Sequence, residues 1–568
     1  MIVDASQEEN GRALSADICI VGAGAAGIAM ALQFIDTQTR ILLLESGGLG
    51  AEPKSQALYQ GTVTDEALHS PPDHYRQRRF GGTTTIWGGR CMPFDPIDFE
   101  AREYVPHSGW PMDYDTVARF YPQANRLCEA GEFSYVAEHA LPGDDRPIIQ
   151  GFAGAHFTAN TLERFSCPTN FAARYGERLR RAANITVVLH ANVTAIKLHA
   201  GGRAVESLGF QSLTGARGSV RAAHYVLATG GLEVARLLLA NRSVHGNGIG
   251  NDRDLVGRFY MCHLAGTIGS IALLGPLNAV YHGYQLSAEG IYCRRRFALK
   301  PRVQREQRLG NFIARLHHPR ITDPRHHDAI LSGLYLGKAF ISYEYGKRLH
   351  GEEQVSWATW CRHVRNVAGA PLDLAAFAWH IFRDRMLADR KFPSIIIKSK
   401  ANLYSLDFHA EQEPNFLSRV ALGTEVDTLG MPRLEVDWRY TSGDVATVQR
   451  SLALLREDIE RSQVGSFDYD PAAVEFEMIR YGAYGGHHIG TARMGTDPAS
   501  SVVDPDCRVH GVDNLFVNGA ATFPTSSQAN PTLTLVALSL RLAEHLKTRL
   551  RARAPAVPAA TAHESSAA

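Results

Sequence analysis

The chain has 568 residues, 45% hydrophobic and 21% charged, an ordinary globular composition with room for two or more domains. Lysine and arginine number 59 against 58 aspartates and glutamates, and this near-balance argues against binding nucleic acid or another polyanion. Eight scattered cysteines form no C-x-x-C pair, so we expect neither a metal site nor a redox disulfide.

Both ends of the chain are polar. The first residues, MIVDASQEENGRAL, lack the basic and then apolar pattern of a secretory signal, and no run of about 18 apolar residues occurs. We therefore expect a cytoplasmic protein. Residues 552–568 are rich in Ala, Pro and Ser and are predicted to be a disordered tail.

A βαβ unit is predicted near the N-terminus. Asp17–Val21 reads as a buried strand, and the sequence GAGAAG at 22–27 then opens an apolar helix that runs to about Phe34. In this G-x-G-x-x-G pattern Gly22 makes the turn, Gly24 lets the backbone approach a pyrophosphate next to Ala25 and Ala26, and Gly27 lets helix and strand pack closely.

Arg40–Leu44 is the second strand of the unit and ends in Glu45, placed where an acidic side chain meets the ribose hydroxyls of a dinucleotide. NAD or FAD is therefore favoured over NADP, and the pattern does not choose between those two. A tight strand-to-helix turn without a ligand is the alternative.

A second glycine cluster reads RFGGTTTIWGGR at 79–90. Its glycines free the backbone to approach a flat ring or a diphosphate, and its threonine hydroxyls can bond heteroatoms or phosphate oxygens. An ordinary glycine-rich loop is the alternative. Two such clusters far apart in the sequence favour a large, extended cofactor, FAD. The candidate binding residues here are Gly81, Gly82, Thr84, Trp87 and Gly88.

The middle of the chain carries weaker signals. Strands are predicted at 185–193, 224–230, 436–440 and 475–479, and helices at 114–130 and 444–462. The basic run 294–325 could bind phosphate or nucleic acid, but we favour a solvated face or a subunit contact. Residues 352–391 read as two helices broken at Pro371. We expect their tryptophans to pack in a core rather than to form a membrane-surface patch or an oligomer contact.

The C-terminal segment 484–534 carries the candidate chemistry. His487 and His488 precede Gly490 and Thr491, and Asn530 follows a hydrophobic run. An imidazole can take a proton near neutral pH and a carboxamide can hold the oxygen that lost it, but neither accepts a hydride. We expect His488 to be structural. A serine hydrolase reading of Ser526 with His487 is weakened because no G-x-S-x-G elbow occurs.

Two further residues and a helix belong to this segment. Arg493 and Met494 are read as a buried ion pair and a core side chain. The run 533–543 is read as a terminal amphipathic helix whose positive N-terminal end faces the flavin.

Three motifs together resemble the glucose-methanol-choline (GMC) oxidoreductase family of FAD enzymes: GAGAAG with Glu45, GGTTTIWGG, and HHIGTARMG followed by ANPTLT. The segments ATGGLEVARLLL, EQEPNFLSRVAL and VVDPDCRVHGVDNLFVN are similar to recurring family segments, whereas the middle of the chain matches much less. GWPMDY at 109–114 and Gly519 make the chain look closer to the pyranose-oxidising and bacterial sugar-oxidising branches.

The resemblance implies an α/β fold with a Rossmann-like FAD-binding domain and an inserted substrate domain built on a mainly antiparallel sheet. The expected FAD domain is assembled from 1–99, 171–265 and 482–551, with a lid or connection at 100–170 and the substrate domain at 266–481. The FAD-binding positions that the resemblance adds are Val193, Ala228, Gly230, Asn518, Gly519, Asn530, Pro531 and Thr532.

The implied activity is oxidation of a hydroxyl on a sugar, glycoside or other polyol to a carbonyl. His487, first in H-x-x-G-T, would accept the hydroxyl proton while hydride passes to flavin N5, and Asn530 would bond the substrate oxygen. Ile86 stands where some relatives carry a histidine that links FAD covalently, so we expect non-covalent FAD. The alternative is an FAD-containing lyase of the hydroxynitrile-lyase type. Oxygen, a quinone or a protein stays open as electron acceptor, as does a homo-oligomer.

Overall fold

The computed structural model describes residues 1–8, 10–144, 146–337, 356–394, 396–480 and 482–553. Within these ranges the strands form a largely parallel sheet of eight strands, an antiparallel sheet of nine and a small mixed sheet of three. The predicted combination of a Rossmann-like unit and a mainly antiparallel sheet is confirmed.

The strands are β1 Ile2–Asp4, β2 Arg12–Val21, β3 Ile41–Leu44, β4 Gly61–Val63, β5 Arg90–Cys91, β6 Phe157–Phe165, β7 Ile185–Leu189, β8 Asn192–Leu198, β9 Val205–Gln211, β10 Arg217–Leu227, β11 Met261–Leu273, β12 Tyr284–Leu286, β13 Tyr292–Leu299, β14 Phe312–His317, β15 Leu403–Ala410, β16 Arg419–Val426, β17 Pro432–Asp437, β18 Gly465–Asp468, β19 Tyr484–Ile489 and β20 Leu515–Val517.

The α-helices are α1 Ala25–Leu32, α2 Pro53–Gln56, α3 Tyr114–Ala118, α4 Tyr121–Leu127, α5 Ala137–Ala140, α6 Phe171–Arg181, α7 Gly231–Ala240, α8 Pro301–Gln307, α9 Ala329–Leu336, α10 Trp357–Gly369, α11 Pro371–Ile381, α12 Ser442–Arg461, α13 Val474–Ile479 and α14 Thr532–Arg553. A π-helical turn, Phe382–Leu387, follows α11.

The first sheet has the order β1-β7-β3-β2-β10-β9-β8, with β20 beside β10. β2 runs parallel to both β3 and β10, and its apolar end is fully buried, as expected for a central strand of a parallel sheet. The carboxyl ends of β2, β3 and β10 therefore meet at one edge, where ligands bind in open α/β sheets. Gly22 lies at this edge, immediately after β2.

The second sheet has the order β18-β11-β15-β14-β13-β6-β5, with β12 paired to β13 and β19 paired to β11. β19 is the strand that carries His487 and His488, and it joins β11 through the pair Met261 and Ile489. The third sheet, β16-β17-β4, links residues 61–63 to residues 419–437. The hydrogen bonds of β11 therefore hold the candidate catalytic strand in place.

Three element predictions need correction. Residues 475–479 form part of α13 and not a strand: α13 buries Val474, Glu477 and Met478, a helical spacing that five alternating residues concealed. Residues 114–130 hold two short helices, α3 and α4, and the predicted strand 185–193 is divided between β7 and β8. The turn between those two strands holds His190 at φ 54°.

The basic run is not a single solvated face. Arg294, Arg295 and Arg296 lie on β13 and are buried, as is Arg315 on β14. Arg315 contacts the carboxylates of Glu163 and Asp407 at 2.7 and 2.8 Å, and Arg294 donates to the Leu316 carbonyl at 2.6 Å. These guanidinium groups hold the sheet together, whereas Arg302 and Arg305 on α8 and Arg325 in a short helical turn are exposed.

The expected core packing of the tryptophans is also wrong. Trp357 is 74% exposed and Trp379 59%, and no residue of α11 is buried. Residues 352–355 lie outside the described residues, as do 554–568 of the predicted tail; 552 and 553 are the last residues of α14. The domain boundaries remain a prediction, and β6, within the expected lid, is a strand of the nine-stranded sheet.

None of the helices in the described ranges combines the length and the apolar composition needed to cross a bilayer.

Candidate active site

A cavity of about 580 Å³ opens at the carboxyl edge of the first sheet and extends to β19. This volume is typical of a small-molecule or cofactor site, for which about 300–1,000 Å³ is usual. Most of the residues predicted from the sequence line it: Gly22, Gly24, Ala25, Ala26, Glu45, Gly82, Thr84, Ile86, Trp87, Gly88, Val193, Ala228, Gly230, His487, Asn518, Gly519, Asn530, Pro531 and Thr532.

Gly27 and Gly81 do not lie on the cavity wall. A Cβ on Gly27 would meet the Gly22 carbonyl oxygen at 1.9 Å, so this glycine lets α1 pack against the turn, as the motif predicts. Gly81 has φ +92° and donates its N–H to the Ala23 carbonyl at 2.8 Å. Gly81 therefore joins the two glycine clusters to each other, and it is not placed to contact a ligand directly.

The glycine turn after β2 leaves room for close approach of a ligand. Gly22 has φ +101°, and a Cβ there would meet the Ala228 carbonyl oxygen at 2.6 Å. Gly82, at φ +53°, packs against Gly24, where a Cβ would meet the Gly24 Cα at 2.9 Å. The backbone of both glycine clusters and of the end of β10 is thus packed too closely for side chains. Without side chains in the way, a ligand in the cavity can approach the backbone N–H groups of these glycines.

Glu45 supports this turn. Its carboxylate accepts from the backbone N–H of Ala23 and of Gly47, both at 2.9 Å, and the side chain is 5% exposed. A carboxylate has about four acceptor positions, so Glu45 can hold the turn and still accept from ribose hydroxyls. This dual use was not foreseen from the sequence.

Three helices begin at the cavity. Gly24 and Ala25 open α1, Gly230 and Gly231 open α7, and Pro531 and Thr532 open α14. The N-terminus of an α-helix carries a partial positive charge and unpaired N–H groups, so it favours anions. The cavity is therefore suited to a ligand with negative charge at more than one place.

His487 has a defined tautomer. His263 Nε2 lies 3.1 Å from the Ser526 carbonyl oxygen, which only accepts, so this nitrogen carries a proton. The Nδ1 atoms of His263 and His487 are 2.8 Å apart, and the neutral His263 has only a lone pair to offer there. His487 Nδ1–H therefore donates, and its Nε2 keeps a lone pair, which accepts from the Asn530 amide at 3.1 Å.

Burial keeps these imidazoles neutral. Burial, and then the neighbouring His263 and Arg90, hold the pKa of His487 well below its ordinary value of 6.5. Burial likewise lowers the pKa of His263 to about 4. His487 therefore presents an unprotonated nitrogen to the cavity at neutral pH and below, the state that a general base needs.

His488 belongs to a different network. Its Nδ1 lies 2.6 Å from the Tyr260 hydroxyl, which is also 2.8 Å from His69 Nε2 and 3.3 Å from Cys262 Sγ. His69 Nδ1 lies 2.5 Å from the Ser70 carbonyl oxygen and so carries the proton. Tyr260 O–H then donates to His69, and His488 Nδ1–H donates to Tyr260.

This second network fits the structural role expected of His488, although His488 also lines the cavity. The ligand atoms of His69, Cys262 and His488 lie within 4.8 Å of one another. The Tyr260 hydroxyl bonds all three side chains, and the arrangement is a hydrogen-bonded cluster around a phenol.

Several residues on the cavity wall escaped the sequence analysis. Arg76 and Arg78 approach the Glu233 carboxylate at 3.4 and 3.2 Å, and Arg76 also stacks on the Tyr59 ring at 3.9 Å. Because Arg76 and Arg78 come just before a glycine cluster, the sequence could have identified them as candidate binding residues. No sequence signal could have identified His263, because it is 224 residues from His487 and stands in no motif.

Of two minor predictions, one is confirmed and the other is wrong. Met494 is 1% exposed and packs in the core as expected. Arg493 forms no ion pair with any residue in the described ranges, contrary to the prediction: it donates to the His107 carbonyl at 2.7 Å and stacks on the Phe259 ring at 4.5 Å.

Known proteins resemble this chain over nearly its whole length. Residues 414–539 match the family described as GMC oxidoreductase, and residues 17–267 match the family described as FAD dependent oxidoreductase. A 2-methyl-1,2-propanediol dehydrogenase from Mycolicibacterium austroafricanum is 21% identical, with 94% of this chain and 95% of the relative covered. A fructose dehydrogenase large subunit from Gluconobacter japonicus is 25% identical, with 95% and 99% covered.

The fold is also found among solved structures. Pyridoxine 4-oxidase from Mesorbium loti superposes with a TM-score of 0.51 at 19% identity, and the match covers 94% of this chain and 99% of that one. FAD fits the residues present, because the cavity joins a dinucleotide turn, three helix N-termini and a neutral imidazole hydrogen-bonded to a carboxamide. Residues 414–539 belong to the GMC oxidoreductase family, and residues 17–267 belong to the FAD dependent oxidoreductase family.

Proposed function

We propose that this enzyme oxidises a hydroxyl group of a sugar, glycoside or other polyol to a carbonyl, with FAD as the hydride acceptor and His487 as the base. One observation carries the proposal. The lone pair of His487 Nε2 accepts from the Asn530 amide on the wall of the FAD cavity, and the tautomer of His487 is held by His263.

The residues divide the work as follows. A substrate hydroxyl placed between His487 and Asn530 would donate its proton to His487 Nε2 and accept from the Asn530 amide. Because the developing alkoxide weakens the adjacent C–H bond, removal of this proton promotes loss of hydride from the same carbon. FAD, when bound, supplies the acceptor for that hydride. The substrate hydroxyl would take the place of the direct hydrogen bond between Asn530 and His487. His263 accepts from His487 Nδ1–H in both charge states and so keeps the imidazole oriented while its charge changes.

The chain holds FAD without a covalent bond through the second glycine cluster. Ile86, which lines the cavity and is 52% exposed, has no atom that could attach to the flavin. Glu45 and the turn at Gly22 would hold the adenosine and diphosphate, and the start of α14 would lie against the flavin. Acid precipitation should therefore release all the FAD into the supernatant, and yellow colour retained in the protein pellet would contradict this assignment.

The substrate class rests on the relatives. One is named for a propanediol and another for fructose, both of which carry adjacent hydroxyl groups. His487, His488 and Asn530 on the cavity wall are hydrogen-bonding groups of the kind that suit polyhydroxylated molecules. We assign residues 266–481 to the substrate domain on the basis of the family resemblance. The electron acceptor stays open among oxygen, a quinone and a protein.

Anaerobic mixing of the FAD-loaded enzyme with a panel of sugars, glycosides and diols tests the proposal. Bleaching of the flavin absorption band by at least one member is the expected result. Product formation with an unbleached flavin would instead establish the lyase alternative, which shares the fold. No bleaching and no product with any compound would count against both enzymatic assignments.

A further inference from the structure

The segment 356–394 presents an apolar outer surface that the proposed chemistry does not use. We call it the tryptophan surface. Its exposed apolar side chains are Trp357, Trp360, Val364, Leu372, Trp379, Phe382, Met386 and Leu387, from 37% to 81% exposed. Monomeric soluble proteins rarely expose an apolar patch of this kind without a binding role.

The helices beneath this surface are attached to the protein on their other side. His363 is the only buried residue of α10 among those described, and it stacks on Tyr335 of α9 at 4.1 Å and bonds Ser332 at 3.0 Å. Leu374 of α11 packs against Gly333 of α9. The helices therefore present their tryptophans outward because their attachment to α9 uses the opposite side.

The charge around this surface is positive. Residues 356–394 contain six arginines and lysines against three aspartates, although the chain as a whole carries only +1. Arg362, Arg365, Arg383 and Lys391 are all exposed. Tryptophan side chains next to basic residues match the composition of a helix that lies in the headgroup region of an anionic membrane.

The same segment reaches the active-site cavity. Arg385 lines the cavity and donates to the carbonyls of Phe392 and Pro393 at 3.0 and 2.8 Å, and Pro393 and Ser394 line it too. Phe392 packs edge-on against Tyr284, another lining residue, with 5.1 Å between ring centroids. One side of this segment is therefore cavity wall and the other is the exposed apolar surface.

We propose that the tryptophan surface docks the enzyme on an anionic lipid bilayer, so that the cavity wall formed by Arg385, Pro393 and Ser394 lies at the membrane face. A second copy of this chain fits less well. A twofold interface would bring the same patch against itself, and its excess of positive charge would repel. An anionic bilayer instead pairs the basic side chains with headgroups while the apolar side chains enter the interface.

Sedimentation of the FAD-loaded enzyme with vesicles tests this docking. We expect about tenfold stronger binding to phosphatidylcholine vesicles that contain roughly 30% phosphatidylglycerol than to phosphatidylcholine alone, with loss at high salt and a blue shift of tryptophan fluorescence. The triple variant Trp379→Ser, Met386→Ser, Leu387→Ser should bind at least about tenfold more weakly. These side chains do not line the cavity, so FAD content and turnover of the variant should match the parent.

A matched control removes exposed apolar side chains elsewhere. Leu274 and Phe476 are 68% and 61% exposed, and the double variant Leu274→Ser, Phe476→Ser should bind vesicles as the parent does. Equal binding of the parent to both kinds of vesicle, or no binding, overturns the proposal. So does a parent dimer that the triple variant dissociates in analytical ultracentrifugation, because the surface would then be an interface between copies.

Discussion

The two faces of β19 carry adjacent histidines in very different surroundings. His487 lines the cavity and bonds a second imidazole and a carboxamide. His488, one residue later and therefore on the other face, is held by a tyrosine that also bonds His69 and Cys262. Under the proposed function one face supplies the base, and the other supports the strand. Adjacent identical residues thus acquire separate roles from their partners alone.

Replacing His487 by alanine should produce the largest effect. A positioned base contributes about 100- to 10,000-fold, so His487→Ala should slow anaerobic flavin reduction by that factor while FAD stays bound. Stopped-flow absorbance measures the rate, and the flavin-to-protein ratio verifies the cofactor. If the variant reduced its flavin at the parent rate, His487 would not be the base, and the proposed difference in role between the two faces of β19 would be wrong.

Changing His263 should have the next largest effect, because it acts through His487. His263→Phe removes the acceptor that fixes the His487 tautomer, and flavin reduction should fall about 10- to 100-fold. His263→Gln retains an acceptor oxygen and should recover most of the rate. If the two variants were equally slow, the hydrogen bond to His487 would not be what matters.

The pH profile should distinguish the base from an ordinary histidine. A base acts when unprotonated, and burial holds the pKa of His487 well below 6.5. Activity should therefore stay constant as the pH falls from alkaline values through 6.5, and should decline only in more acidic solution. If the rate of flavin reduction were half-maximal at or above pH 6.5, either the base would be a different group or the pKa of His487 would not be lowered when substrate is bound.

On the opposite face, Tyr260→Phe should affect stability more than chemistry. The substitution leaves His488 Nδ1 without its acceptor and should lower the free energy of unfolding by about 1–3 kcal/mol. Chemical denaturation measures this change, and flavin reduction should slow by much less than in His487→Ala. A loss of rate as large as that of His487→Ala would mean that both faces take part in catalysis.

The N-terminal unit and, through the family resemblance, the candidate base His487 could be identified from the sequence because their motifs are local. The turn at Gly22 follows directly from a buried strand and precedes an apolar helix, so spacing alone locates it. The H-x-x-G-T register likewise separates His487 from His488 before any contact is known. Such patterns need no information about the rest of the chain.

What the sequence could not reveal depends on distant contacts. His263 reaches His487 only because β11 and β19 pair. Arg315 is buried because Glu163 and Asp407 meet it across neighbouring strands, which a count of basic residues does not show. The tryptophans of 357–379 have the periodicity of core helices, and only the packing of α10 and α11 against α9 shows that they face outward.

Deuterium on the carbon that bears the reacting hydroxyl tests the central claim most directly. Once the panel has identified a substrate, its protiated and deuterated forms are mixed anaerobically with the FAD-loaded enzyme, and bleaching of the flavin is followed. If His487 removes the proton while hydride leaves for FAD, the deuterated substrate should bleach the flavin more slowly. Formation of product without bleaching, or removal of hydrogen from another position of the substrate, would contradict the account.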